Sequence, residues 1–198
     1  MSQTSSGNDK TGKSDQIMLA GGCFWCIEAV FEMIDGIDKV ESGYIGGHVV
    51  NPSYEQVCSG TTGHAEAVRV SFNPDIISFP ELLEIFFNSH GPTTLNQQGP
   101  DSGSQYRSAI FYDGPDQKEM VETHIRDLTN RGVWEQPIVT EVLQLTTFYP
   151  AEDYHSEYFR RNPYSPYSQY VIAPKVAKFQ KSFVHRLRSK ISGYHPNF

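Results

Sequence analysis

The strongest constraint lies near the start of the chain, where two periodicities meet across a pair of glycines. Residues 16–20 (QIMLA) form a short apolar run that stops at Gly21-Gly22. From residue 23 to about residue 34, apolar side chains recur at Phe24, Ile27, Val30, Phe31 and Ile34, the spacing of one helix face. This predicts a buried strand, a tight turn and a helix, with Cys23 at the start of the helix.

Further along, residues 65–72 (AEAVRVSF) alternate as a strand does, and Glu66 shares a face with Val68, Val70 and Phe72. Ser78-Phe79-Pro80-Glu81 reads as a capping box opening a helix that runs to about Ser89. Strands are predicted over 106–112 and 139–145, and helices over 115–130 and 174–190. Shorter helical pieces are predicted over 54–58 and 150–160. Residues 43–47, 91–103 and 162–167 read as irregular structure or loop, because Gly and Pro punctuate them. The pattern predicts one α+β domain over 16–198, a mixed sheet covered by helices. The polar, Ser- and Thr-rich residues 1–15 are expected to be a disordered tail.

Composition narrows the function. The 198 residues are 38% hydrophobic, with 12 Phe and 11 Tyr, enough apolar material for a core. A formal net charge of −7 argues against a nucleic-acid backbone as the main partner. No run of about 18 apolar residues marks a membrane span. The first fifteen residues lack the apolar centre of a secretory signal, so a cytoplasmic protein is expected. Nothing suggests an interface, and a monomer is expected. Three cysteines, Cys23, Cys26 and Cys58, do not make a secreted disulfide scaffold; in a reducing compartment they do chemistry or bind metal.

Cys23 is the first candidate. At a helix N-terminus its thiolate would be favoured, lowering the pKa below the free value of about 8.5. The alternative is a buried, inert cysteine between core aromatics. Cys23 and Cys26 lie three apart on one helix face and can form a disulfide. The same spacing suits a thioredoxin-like exchanger, or half of a zinc site completed by Cys58 and His64. Glu66 on the apolar face of its strand should have a raised pKa and act as a general acid, unless it turns to water or pairs with Arg69. The phenols of Tyr54 and Tyr106 can donate to a polarised oxygen, although either can equally be a packing residue. Asp101 reads by itself as a turn residue, and Asp153 and His155 as helix-start residues.

Taken together, GGCFWCIEAVF (21–31), GYIGG (43–47), YEQVCSGTTGHAEAVRV (54–70), GSQYRSAIFY (103–112) and FYPAEDYH (148–155) resemble the type A peptide methionine sulfoxide reductases. The resemblance implies an α+β fold with a two-layer, ferredoxin-like core. It implies reduction of the S epimer of methionine sulfoxide, free or in proteins, with no metal or bound cofactor. Cys23 becomes the nucleophile, Phe24 and Trp25 the surroundings of the substrate methyl, and Glu66, Tyr54 and Tyr106 the donors to the sulfoxide oxygen. Asp101 falls in a loop close to the site. Cys23 would end as sulfenic acid, be resolved as a disulfide, and be regenerated by thioredoxin.

The chain departs from many members of that family at Cys26, where they have Gly and carry resolving cysteines in a C-terminal tail. Here residues 192–198 contain no cysteine. Cys26 is therefore the resolving candidate at shortest reach, with Cys58 or an external thiol as alternatives.

Overall fold

A computed structural model of the chain describes residues 14–188. β1 (Asp15–Gly21) ends in five consecutive buried residues and stops at Gly22. Gly22 has φ +91°, and a Cβ there would lie 2.6 Å from the Gln98 side chain, so both backbone and space call for glycine. α1 (Phe24–Phe31) follows, with Cys23 as its N-cap residue. Next come β2 (Ile37–Ile45), α2 (Tyr54–Cys58), β3 (Ala65–Phe72) and α3 (Phe79–Ser89). A small hairpin of β4 (Gln97–Gln98) and β5 (Asp101–Ser102) leads into β6 (Ser108–Tyr112). The chain continues through α4 (Pro115–Asn130), β7 (Glu141–Gln144), β8 (Tyr149–Pro150), α5 (Tyr158–Arg161) and α6 (Ala173–Ser182).

Six strands form one sheet in the order β7-β6-β1-β3-β2-β8, with β6 and β7 parallel and every other pair antiparallel. This is the expected mixed sheet with helices. Ile17 and Leu19 of β1, with Val68, Val70 and Phe72 of β3, enter the main core beneath α1 and α3. Met18, Ala20, Ala65, Ala67 and Phe111 face the other way, where Leu143, Leu145 and Phe148 cover them. The sheet is thus apolar on both faces. The Ser78 side chain and Glu81 close the predicted capping box of α3, and Ser53 with Gln56 does the same for α2.

Four expectations are corrected. Residues 43–47 are not wholly irregular, because Gly43–Ile45 finish β2. Its pattern is obscured by charged Asp38, Lys39 and Glu41 and by a register shift after Ile37. Its Gly43 is required by the approach of β8, where a Cβ would meet Phe148 at 2.4 Å and the Tyr149 carbonyl at 2.5 Å. The 91–103 loop contains the β4–β5 hairpin, braced by buried Gln98 bonding both backbone groups of Gly91. The strand read over 106–112 starts at Ser108, since Tyr106 closes a 3₁₀ turn. The final helix begins after a π-helical turn (Ser168–Ile172) and ends at Ser182, not at residue 190. Beyond it Leu187 bridges Ile34, and the Arg188 guanidinium donates to the Ile34 and Ile37 carbonyls, so backbone pairing there replaces helix. The tail read over 1–15 falls almost wholly outside the described residues, although Asp15 already belongs to β1; residues 189–198 also lie outside them.

The 46–50 turn is tied to the start of β3 by His64. The Gly47 N–H donates to its Nδ1 at 3.0 Å, and its Nε2–H meets the Val49 carbonyl at 2.7 Å. A Cβ on Gly47 would sit 2.4 Å from both the His64 nitrogen and the Thr62 oxygen, which are backbone atoms that cannot swing away. Gly47→Ala should therefore cost about 2 kcal/mol or more. Urea unfolding measures it, and an unchanged midpoint would mean the turn is not packed this way.

Candidate active site

Cys23 stands where β1 has ended and α1 begins, 4% exposed. Beside it the Phe24 N–H, one of the unpaired donors of the first helical turn, donates to Glu66 Oε2 at 3.1 Å. Glu66 arrives from β3 on the face that carries Val68 and Val70, and is 1% exposed. Burial outweighs that one hydrogen bond and, helped by Asp101 and Cys26, pushes the carboxyl up to about 8. Glu66 therefore keeps its proton at neutral pH. It does not pair with Arg69, which instead binds Glu41.

Tyr54 opens α2 and Tyr106 ends the 3₁₀ turn before β6. Both phenols are half-buried against the core and feel Glu66. Burial first, then Glu66, raises both well above the ordinary phenol value, so each remains a donor. Cys58, exposed, hydrogen-bonds Tyr54, and burial of its sulfur raises its thiol.

The thiol pair departs from expectation. Cys23 is not the favoured thiolate of a helix N-terminus. Burial comes first, followed by its hydrogen bond to Cys26 and the nearby Glu66, and together they push Cys23 up. Cys26 moves the other way: it accepts from Cys23, and the Lys175 ammonium lies 3.8 Å from its sulfur. Of the two thiols, Cys26 is the readier to ionise.

Aromatic rings wall the site. Phe24 is buried among Trp25, Tyr44, Tyr54 and His155, with centroids 5.0–6.5 Å away. Trp25 stacks on Tyr158 at 3.7 Å, meets Tyr167 edge-on and donates from Nε1 to His155 Nδ1 at 3.1 Å. That bond fixes the proton of a neutral His155 on Nε2, and burial lowers its pKa. Glu152 binds the other members: its carboxylate accepts from the Tyr44 hydroxyl at 2.8 Å and the Tyr54 N–H at 2.9 Å.

Eight of the residues singled out in the sequence, Cys23, Phe24, Trp25, Cys26, Tyr54, Glu66, Asp101 and Tyr106, fall in one connected set. Asp101 joins through Tyr167, whose hydroxyl donates to Asp101 Oδ2 at 2.6 Å and also bonds the thiols. Tyr167, Lys175 and Glu152 were not anticipated; no spacing connects them to a motif near residue 23. His64, which a zinc site would need, spends both ring nitrogens on backbone. Among the described residues no cluster of three or more His, Cys, Asp or Glu is set to hold a metal, and no helix is long and apolar enough to cross a membrane.

A buried thiol pair faced by a protonated carboxyl and two phenols can attack a centre whose oxygen is being protonated, which is the equipment of a thiol reductase. The family model described as peptide methionine sulfoxide reductase matches residues 15–187. A Trichodesmium erythraeum peptide methionine sulfoxide reductase MsrA is 52% identical over 169 residues, 85% of this chain and 96% of that one. The Deinococcus radiodurans protein of the same name is 50% identical over 187 residues, 94% and 91% of the two chains. Among solved structures, reduced Mxr1 of Saccharomyces cerevisiae superposes with a TM-score of 0.73 at 36% identity, covering 79% of this chain and 92% of its own. Methionine sulfoxide reductase A of Corynebacterium diphtheriae gives 0.68 at 36% identity, covering 80% of each. The chain belongs to the peptide methionine sulfoxide reductase family.

The buried acid has a stability signature. Its folded pKa lies above its unfolded value, so between about pH 4.5 and 8 the folded state holds more protons, and stability falls as pH rises through that window. Glu66→Gln should abolish this contribution. Relative to the parent, the variant should gain stability from about pH 5 to 8 and no further above it. Urea unfolding at several pH values tests this, and parallel curves would show that Glu66 is ionised in the folded state.

Proposed function

We propose that the chain reduces the S epimer of methionine sulfoxide, free or within proteins, with Cys23 as nucleophile. The observation that carries this is the protonated Glu66 held against the N-terminus of α1, one residue from the Cys23 thiol. Hydrolytic thiol enzymes need a base beside the sulfur; a sulfoxide needs an acid for its oxygen.

The steps follow from the residues. The sulfoxide oxygen accepts hydrogen bonds from Tyr54 and Tyr106 and a proton from Glu66, which makes the sulfur electrophilic. Phe24 and Trp25 enclose the methyl group in an apolar wall. Cys23 attacks the sulfur, and its thiol proton goes to the same oxygen, which departs from the methionine sulfur as water. Water then adds to the Cys23 sulfur as the S–S bond breaks: methionine leaves with that bond's electron pair, Glu66 recovers its proton, and Cys23 becomes a sulfenic acid. Cys26 then attacks Cys23, forming a disulfide and releasing water. A dithiol protein such as thioredoxin reduces the disulfide by exchange. No other cofactor enters this sequence.

The wider reading is consistent with it. The β1–α1–β2–β3–α3–β6 order, placed as β6-β1-β3-β2, supports a two-layer ferredoxin-like core. We place the enzyme domain at residues 16–198, in a reducing, cytoplasmic compartment, as a monomer. A thioredoxin-like exchanger would have no use for Glu66.

Turnover of both epimers of N-acetylmethionine sulfoxide with thioredoxin tests the proposal. The S epimer alone should be consumed. Cys23→Ser should be inactive, and Cys26→Ser should stop after about one turnover. Glu66→Gln should lose roughly 10²–10³ in rate. The parent rate should fall above about pH 8, as Glu66 loses its proton. Full activity in Cys23→Ser, or no reduction of either epimer by the parent, would sink the reading.

A further inference from the structure

The proposed mechanism leaves one group beside the thiols without a role. Lys175 reaches from the first turn of α6 to within 3.8 Å of Cys26 Sγ. It is half-buried, and among the described residues no carboxylate pairs with it. An unpaired ammonium against a thiol costs solvation, and what offsets that cost is a negative charge on the sulfur.

The helix that carries it is built to place it there. Tyr167 and Lys175 are eight residues apart and both reach the thiol pair. Eight residues of uniform α-helix, at 3.6 per turn, leave the two side chains about a fifth of a turn apart. The π-helical turn at Ser168–Ile172 widens one turn by roughly a residue, so one wide and one ordinary turn span about eight residues. Tyr167 and Lys175 thereby come onto one face.

Resting on the reductase reading, we propose that Lys175 is the charge partner of the resolving step: its ammonium holds Cys26 as the thiolate that attacks the Cys23 sulfenic acid. The Cys26 sulfur forms the new S–S bond as the Cys23 S–O bond breaks. Cys26 is oxidised and the sulfenic sulfur reduced. The oxygen leaves as water, with its own hydrogen and the proton Cys26 released. Lys175 stays charged throughout. The other groups facing Cys26 are Cys23 on its own turn, Glu66 from β3, Asp101 from β5 and Tyr167 before the π turn. Asp101 opposes the thiolate, Glu66 joins it only once ionised, and Lys175 is the cation against them.

Two measurements on the full-length protein test this. In the first, reduced parent, Lys175→Met and Lys175→Arg are mixed with excess S epimer without reductant and quenched over time. Methionine is quantified, and sulfenic acid and disulfide are read by mass spectrometry after dimedone trapping. Methionine formation should stay within about twofold of the parent. Disulfide formation in Lys175→Met should slow about tenfold at neutral pH, for a one-unit rise in the thiol pKa, and recover as pH is raised. Lys175→Arg should restore most of the rate. Unchanged disulfide formation, or equal slowing of both steps, overturns the proposal. In the second, Cys26 is alkylated with iodoacetamide across pH in Cys23→Ser, which keeps a hydroxyl partner, with and without Lys175→Met. The alkylation midpoint should rise with the charge removed, and coincident profiles overturn the proposal whether or not the protein reduces sulfoxides. If the parent forms no methionine, the reductase reading fails while this second measurement still decides the charge pairing.

Discussion

The 3.1 Å hydrogen bond from the Phe24 N–H to Glu66 Oε2 is the contact on which the rest of the site depends. It joins the first turn of α1 to β3 and fixes how the thiol-bearing turn lies over the sheet. It also decides the chemistry. A free helix N-terminus would favour anions generally, including the Cys23 thiolate. Here one of its donors is given to a buried carboxyl, and that single bond is too weak to keep the carboxyl ionised at neutral pH. The result is an acid beside a thiol, in a place where helix geometry alone would have produced a thiolate beside a solvated carboxylate.

The aromatic wall is held by a second chain of bonds from the other end of the sequence. Trp25 donates to His155, and Glu152 three residues earlier accepts from Tyr44 and from the backbone of Tyr54. Trp25 and Tyr54 thus take their positions from one short segment, Glu152 to His155. Neither His155 nor Glu152 is placed to move a proton to substrate: the histidine is neutral and wholly buried, and the carboxylate is held low by its donors. Their work is orientation, which a rigid apolar wall needs more than it needs further charge.

Legibility in the sequence followed the range of the interactions. The strand–glycine–helix unit, the Ser78 capping box and the alternation of 65–72 are encoded within a few residues, and each appeared where its pattern placed it. Glu66 was recognisable as an acid because its neighbours in β3 share its face. β2 escaped because its partners on both sides supply the reason for its charges and its glycine: Arg69 binds Glu41, and β8 presses on Gly43. Tyr167 and Lys175 were illegible for a stronger reason. Their register depends on a π turn, and nothing in Ser168–Ile172 announces an i→i+5 bond.

The same π turn explains why the thiol pair could not be judged from the α1 sequence. Cys23 and Cys26 are local neighbours with equal claims to the charge if only their own helix is considered, and the macrodipole would give it to Cys23. What separates them lies outside α1: an ammonium 149 residues further on that meets Cys26, and a carboxyl from β3 that meets the turn of Cys23. The Lys175 ammonium thus sets the two sulfurs apart within one helical turn. Attack on a sulfoxide whose oxygen is being protonated tolerates a nucleophile that gives up its proton during the step, whereas attack on a sulfenic acid has only the thiolate to drive it. Placing the acid by Cys23 and the cation by Cys26 matches each sulfur to the step we propose for it.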